Sequence, residues 1–336
     1  MGDIAKNDGA PFFENQHIPI FFVQVGDHIN LFLDKILRQA QQSNGKQNVY
    51  LLANSNLHLY REFNCIDISK YIQGREFDSL YKHHSANKYS FEKACFDRWF
   101  IINDVIKDLN INYFFHADCD VLIPEDLNAV YTHLLQHNYD GSVMYFEENG
   151  KSVTSGHSSF WSRTLLNDFC DFVCEQYGHE QAFNEILALT RSGFFLNNKN
   201  VSDMIFLDIF RRNTHLKTLN LFSLEDEGIG FDFNLNVAAN GWRKVFKLDK
   251  LYGIKEIKRE NRSLYAEEVP NATRVKFYTL HFQGYVTKAL IPKYIAYGSK
   301  LDKLANTLLA YSTFAVRKIR LKKNWLRDKL KIKQIT

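Results

Sequence analysis

The chain has 336 residues, 45% of them hydrophobic and 24% charged, which suits one large folded domain and excludes wholesale disorder. Five prolines and sixteen glycines exclude collagen-like and low-complexity chains. The formal charge is +4, but Arg317 to Lys333 carries nine lysines and arginines against one acid, Asp328; that segment is net +8 and the remainder −4. An acidic body argues against nucleic acid as a partner, and a basic tail argues for an anionic one.

Ile18 to Val25 is a near-continuous apolar run ending at Gly26-Asp27, the pattern of a parallel strand buried on both faces. Ile29, Leu33, Ile36, Leu37 and Ala40 then predict a helix, closed by Ser43-Asn-Gly45. Asn48 to Ala53 is a second buried strand, ending in Asn54-Ser55-Asn56, so the first 35 residues of this stretch form a βαβ unit. A short strand is predicted near Cys65–Ile68. A helix follows from Ser90, its N-cap, to Leu109, with Phe91, Cys95, Trp99, Ile102 and Ile106 inward. Tyr113 to Ala117 is a third buried strand running directly into Asp118-Cys-Asp120, and Pro124-Glu-Asp126 opens a helix through Leu135. The order is that of a doubly wound α/β domain.

The second half is more mixed. Strands are predicted at 141–146 and 155–161, and helices at 164–177 and 201–212, the latter capped by Asn200 or Ser202. Short strands fill 215–285, and 292–331 is helical and increasingly basic. The five cysteines, Cys65, Cys95, Cys119, Cys170 and Cys174, form no C-x-x-C pair; Cys170 and Cys174 share an apolar helix face with Phe169, Val173 and Tyr177. Buried thiols in a reducing compartment are expected. Asp3, Lys6 and Asp8 without an apolar run predict no signal peptide, and no apolar stretch is long enough to span a membrane. A cytoplasmic protein is the expectation.

Asp118-Cys-Asp120 is the strongest chemical signal. On an extended chain residues i and i+2 point to one side, and in open α/β sheets ligands bind outside the carboxyl ends of the strands. Two carboxylates there call for a hard divalent cation with oxygen ligands, Mn²⁺ or Mg²⁺, which would hold substrate phosphates. A D-x-D in isolation is more often a solvated turn. His116 shares the alternation but lies deeper, as a core histidine. Leu280-His-Phe-Gln-Gly-Tyr-Val-Thr-Lys288 is a second, weaker signal.

Together these motifs resemble the GT-A superfamily of metal-dependent nucleotide-sugar glycosyltransferases, of the bacterial surface-polysaccharide class. The resemblance spans residues 18–290. It implies a GT-A-like, Rossmann-related mixed sheet flanked by helices, with a basic helical C-terminal extension. By resemblance Asp118 and Asp120 hold the metal and the donor diphosphate, His281 is the third ligand, and Lys288 contacts the diphosphate. The familiar pattern puts that lysine six residues after the histidine; here the gap is seven. The implied division is a lead-in (1–17), a catalytic domain (18–123 for the nucleotide, 124–291 for the acceptor) and a basic tail (292–336).

Further roles follow from what the reaction needs. The departing nucleoside diphosphate needs cations, and Arg98 is a candidate beside Lys288, the alternative being a surface arginine. The nucleoside is expected across Val25, Gly26 and Asp27 of one loop and Asn54 and Ser55 of the next. An inverting enzyme needs a base; Asp203, at a helix start, is the candidate, with Glu225, Asp226 and Glu227 as competitors and a dipole-stabilised helix acid as the alternative. Gly156-His157-Ser158 is placed either in a sugar pocket or in a core strand. The expected activity is hexosyl transfer from a UDP-sugar to a glycan or lipid-linked acceptor. The basic tail interleaves its charges with Leu301, Leu304, Leu308, Leu309, Phe314, Ile319, Leu321, Trp325 and Leu330, as in a helix lying on the anionic inner face of a membrane. The alternatives are a retaining enzyme and a non-catalytic metal-dependent sugar-nucleotide or glycan-binding protein of a polysaccharide assembly complex.

Overall fold

The computed structural model describes residues 17–28, 30–72, 74–195, 200–241, 244–269 and 271–333, the last ten as backbone only. The lead-in before residue 17, Ile29 and the side chains of Trp325 and Leu330 lie outside that description.

β1 (Ile20–Gln24), α1 (Leu33–Asn44), β2 (Val49–Ala53) and β3 (Asn64–Asp67) form a parallel βαβ start. α2 (Glu76–Leu80) and α3 (Tyr89–Asp108) return the chain to β4 (Tyr113–Ala117), parallel to β1. β5 (Val121–Leu122) and α4 (Asn128–Gln136) follow, then the long hairpin of β6 (Gly141–Glu148) and β7 (Lys151–Ser162). α5 (Arg163–Gly178), α6 (Glu180–Arg191) and α7 (Asp203–Asn213) cover one face, and β8 (Thr218–Asn220) completes a mixed seven-stranded sheet in the order β3-β2-β1-β4-β7-β6-β8.

The remaining strands are shorter. β9 (Ile229–Phe231) is followed by two small hairpins, β10 (Ala239–Asn240) with β11 (Lys244–Val245) and β12 (Leu248–Asp249) with β13 (Ile254–Lys255). β14 (Lys258–Glu260), β15 (Ser263–Glu267) and β16 (Arg274–His281) make a second sheet that takes in β5 and β9. α8 (Lys300–Lys333) ends the described chain.

The apolar strands are continuous because both faces are covered. Ile20 and Phe22 pack with Leu33, Ile36, Leu37 and Ala40 of α1, while Phe21 packs with Phe96, Trp99, Ile102 and Ile106 of α3. Phe21, Phe22, Phe114 and Phe115 are fully enclosed, at about 1.5–3 kcal/mol of transfer free energy each.

Several boundaries differ from the sequence reading. α3 starts at Tyr89 with Lys88 as its cap, so Ser90 is helical and Phe91 stands exposed. α6 was not anticipated; its polar composition hides a narrow inward stripe of Phe183, Ile186 and Thr190. α4 opens at Asn128. Ser202 caps α7 by position without a side-chain bond, and Asn200 Oδ1 accepts the Ala86 N–H instead. A 3₁₀ stretch, Thr287–Tyr294, precedes α8, and Leu290, Ile291, Tyr294 and Ile295 belong to the core, so the terminal helix begins only at Lys300.

Candidate functional site

In the order β3-β2-β1-β4 the strand sequence reverses between β1 and β4, the switch point where open α/β sheets bind ligands. β1 ends at Gln24 and β4 at Ala117, so the Gly26 loop and Asp118-Cys119-Asp120 meet at that crevice. The Asn30 side chain ties them, its Nδ2–H donating to the Cys119 carbonyl at 2.7 Å.

The D-x-D segment does not continue the strand. Val121 N–H donates to the Asp118 carbonyl at 2.9 Å, making a tight turn. An extended chain would turn both carboxylates to one side; the turn gives them different partners. Asp118 faces α3 and α7. It pairs with Arg98, and His116 Nε2–H donates to it at 3.2 Å. Burial alone would raise this carboxyl, but Arg98, with His116 behind it, holds it well below the usual carboxylate range. Arg98 also reaches Asp203 at 2.6 Å, and Trp99 Nε1–H donates to the same Asp203 oxygen at 3.0 Å. Asp203 is only 4% exposed. The structure therefore joins Arg98, Asp118 and Asp203 in one network that runs from the buried Asp203 to the partly exposed Asp118.

Asp120 faces the second sheet. β5 pairs antiparallel with β16, setting His281 opposite Val121, and Phe282 N–H donates to the Asp120 carbonyl at 3.0 Å. Asp120 Oδ2 lies 3.0 Å from Lys288 Nζ and Oδ1 lies 3.6 Å from His281 Nε2. His281 Nδ1 sits 2.8 Å from the Phe233 carbonyl. A carbonyl only accepts, so Nδ1 carries a proton and Nε2 is the ring nitrogen turned toward the Asp120 carboxylate. A histidine that donates its Nδ1–H to a backbone carbonyl and turns Nε2 toward a carboxylate is oriented as metal ligands are. The Asp120–His281 pair thus fits a divalent cation in donor chemistry. Among the described residues no three His, Cys, Asp or Glu side chains converge on one point, because Asp118 is turned to Arg98.

Behind His281 lies a support that the sequence reading missed. His157 stacks on His281 with ring centroids 4.0 Å apart and planes at 24°. Its Nε2–H donates to the Asp232 carbonyl at 3.1 Å, and Ser155 Oγ–H donates to its Nδ1 at 2.6 Å. Burial, then the neighbouring His281, pushes His157 well below its ordinary value, so it stays neutral. Asp232 also accepts the His281 backbone N–H at 3.0 Å and pairs with Lys255 at 2.7 Å, both side chains being fully enclosed. Asp232 ends the apolar strand β9 as Asp118 ends β4, a signal that was legible. Nothing around Lys255 announced a buried lysine. Gly156, His157 and Ser158 are core residues of β7 that reach the site through this stack.

The nucleoside candidates sit at the crevice with defined partners. Asn54 Oδ1 accepts the Gly26 N–H at 2.8 Å, and Ser55 Oγ–H donates to the Gly26 carbonyl at 2.6 Å. Both backbone groups of Gly26 are thus engaged in joining the β1 and β2 loops. Gly26 has φ +94° with open space where a Cβ would lie. The Asp27 carbonyl accepts from Asn56 at 3.0 Å, and Val25 packs on the α3 side of the core. Among the competitors for the base role, Glu225 is buried against Asn240 and Asp226 lies 3.6 Å from Lys244.

No family model matches the sequence, and no curated protein matches it. The structure is similar to that of mouse xyloside xylosyltransferase 1, at 10% identity over 61% of this chain and 84% of that one, TM-score 0.40. It is similar to a cytidylyltransferase from Leptospira borgpetersenii, at 11% identity over 59% and 95%, TM-score 0.31. It is also similar to the glycosyltransferase GlyE of Streptococcus pneumoniae TIGR4, at 15% identity over 61% and 45%, TM-score 0.32. Likeness this distant carries no residue's role across.

Proposed function

We propose that this protein is a metal-dependent glycosyltransferase that moves a sugar from a nucleoside diphosphate donor, a UDP-sugar in the first instance, to a hydroxyl of a glycan or lipid-linked acceptor. One observation carries the reading: at the switch point of the sheet, β5–β16 pairing sets His281 and Lys288 on the two oxygens of Asp120. Asp120 and His281 would hold Mn²⁺ or Mg²⁺, with Asp118 beside them in the same turn. When bound, such a cation supplies charge stabilisation to a departing diphosphate. Lys288, partly exposed at the rim, adds a mobile positive charge. Arg98 adds a fixed one, held in the crevice by Asp118 and Asp203. The joined Gly26 and Asn54 loops form a rigid floor for the nucleoside.

Two readings of Asp203 follow. As the base of an inverting enzyme it would take the acceptor proton. The bond from Arg98 favours a second reading, a retaining enzyme in which Asp203 orients Arg98. The reaction class is tested by incubating the purified chain with UDP-, GDP- and CMP-sugars and Mn²⁺. Slow hydrolysis of one donor, lost in EDTA, supports a transferase; tight sugar-nucleotide binding with no turnover supports the non-catalytic alternative.

A further inference from the structure

We propose that Arg317 of the basic helix α8 is a positioning residue for the donor site: it clasps the loop that carries Lys288 against the loop that follows β1. Calling these the donor loops rests on the function proposed above; the clasp itself rests on geometry. Arg317 is the buried exception in a basic segment, 7% exposed, while Lys318, Arg320, Lys322 and Lys323 are open to solvent. Its Nη1–H donates to the Tyr285 carbonyl at 2.5 Å. Its guanidinium lies 4.4 Å from the Tyr285 ring centroid and 5.5 Å from that of Phe32.

Both contacts lead to the site. Phe32 N–H donates to Asn30 Oδ1 at 3.3 Å, and Asn30 holds the Cys119 carbonyl between the two aspartates. Tyr285 follows Gly284, whose φ of +89° turns the chain out of β16, and Lys288 N–H closes that turn onto the Gly284 carbonyl at 3.3 Å. The far side of the loop is pinned by Asn236, which donates to the Gln283 carbonyl at 2.8 Å and accepts from Thr287 at 2.6 Å. Tyr285 itself is about half exposed. Within α8, Phe314 is also buried, in the core that contains Phe32. Helix α8 is therefore two-sided: Leu301, Leu304, Leu308 and Ile319 face outward, and Phe314 and Arg317 face the site.

A planar guanidinium that lies against two rings while donating to a carbonyl is not replaced by lysine. The test is hydrogen exchange of the amides of residues 283–289 in the full chain, compared with Arg317→Met, which keeps the stem, Arg317→Lys, which keeps the charge, and Lys322→Met as a charge-matched control. Loss of a charged hydrogen bond should speed exchange of these amides about tenfold in both Arg317 variants, with the control unchanged and protection elsewhere retained. Mn²⁺-supported UDP affinity, measured on the same proteins, should fall by a similar factor. Unchanged exchange at 283–289 in both variants overturns the clasp. Faster exchange with unchanged UDP affinity overturns the positioning role. If the unaltered chain binds no UDP, the functional reading fails, and the exchange rates still decide the clasp.

Discussion

Asp203 separates the two mechanisms at the scale of one residue. If it is a base, Asp203→Asn should cut transfer roughly 10²–10⁴-fold with UDP affinity unchanged. If it orients Arg98, the same substitution should weaken UDP binding along with transfer, and the product should keep the donor's anomeric configuration. Kinetics, calorimetry and the NMR of the product read the difference. Glu225 gives a pH prediction of known sign. Its carboxyl is pushed up to about 8, because burial outweighs the Asn240 amide and Lys255, which pull the other way. The folded chain therefore keeps this proton where the unfolded chain, near the ordinary 4.5, has lost it. The stability contributed is full below that ordinary value and is lost as pH rises toward 8. Denaturant midpoints should fall across that window, and Glu225→Gln should flatten the fall.

At the scale of elements, β7 presses on α3 through Gly156. A Cβ there would come within 2.8 Å of the Trp99 indole, and Trp99 holds Asp203. Gly156→Ala should cost about 1–3 kcal/mol of stability by overpacking, read as a lower denaturation midpoint, and should loosen Asp203 at the same time. The sequence disclosed β1, β2, β4 and their helices because unbroken apolar runs and 3.6-residue stripes are local signals. It singled out Asp118, Asp120, His281 and Lys288 as candidates, and the fold brings Asp120, His281 and Lys288 together. Their partners were not legible, since these depend on long-range pairing: β5 with β16, and α3 with α7. At Asp118 the sequence offered both a turn and an extended strand end, and only the Val121–Asp118 hydrogen bond decides for the turn. Arg98 was singled out, but its double engagement with Asp118 and Asp203 required the fold.

The whole molecule has an acidic body and a basic helix whose outward face mixes exposed leucines with lysines. No helix among the described residues is long and apolar enough to cross a membrane, and lying on an anionic surface is the use we propose for α8. Truncation before Phe314 is a poor test, because Phe314 and Arg317 pack inward. Replacing Lys318, Lys322 and Lys323 by glutamine removes three charges and keeps Phe314 and Arg317, at the cost of the Lys318 ammonium's contact with the Phe314 ring. At about 1 kcal/mol per charge, vesicles rich in anionic lipid should bind the variant roughly a hundredfold less; equal binding would remove the membrane from the account. Isothermal titration of UDP into the full chain reads the cation-dependent diphosphate site proposed at Asp120, His281 and Lys288. Saturable binding is expected with Mn²⁺, weaker by about tenfold or more in EDTA and in Asp120→Asn, a margin of at least ~1.4 kcal/mol. UDP binding of equal strength in EDTA and in Asp120→Asn, or no binding under any condition, would contradict it.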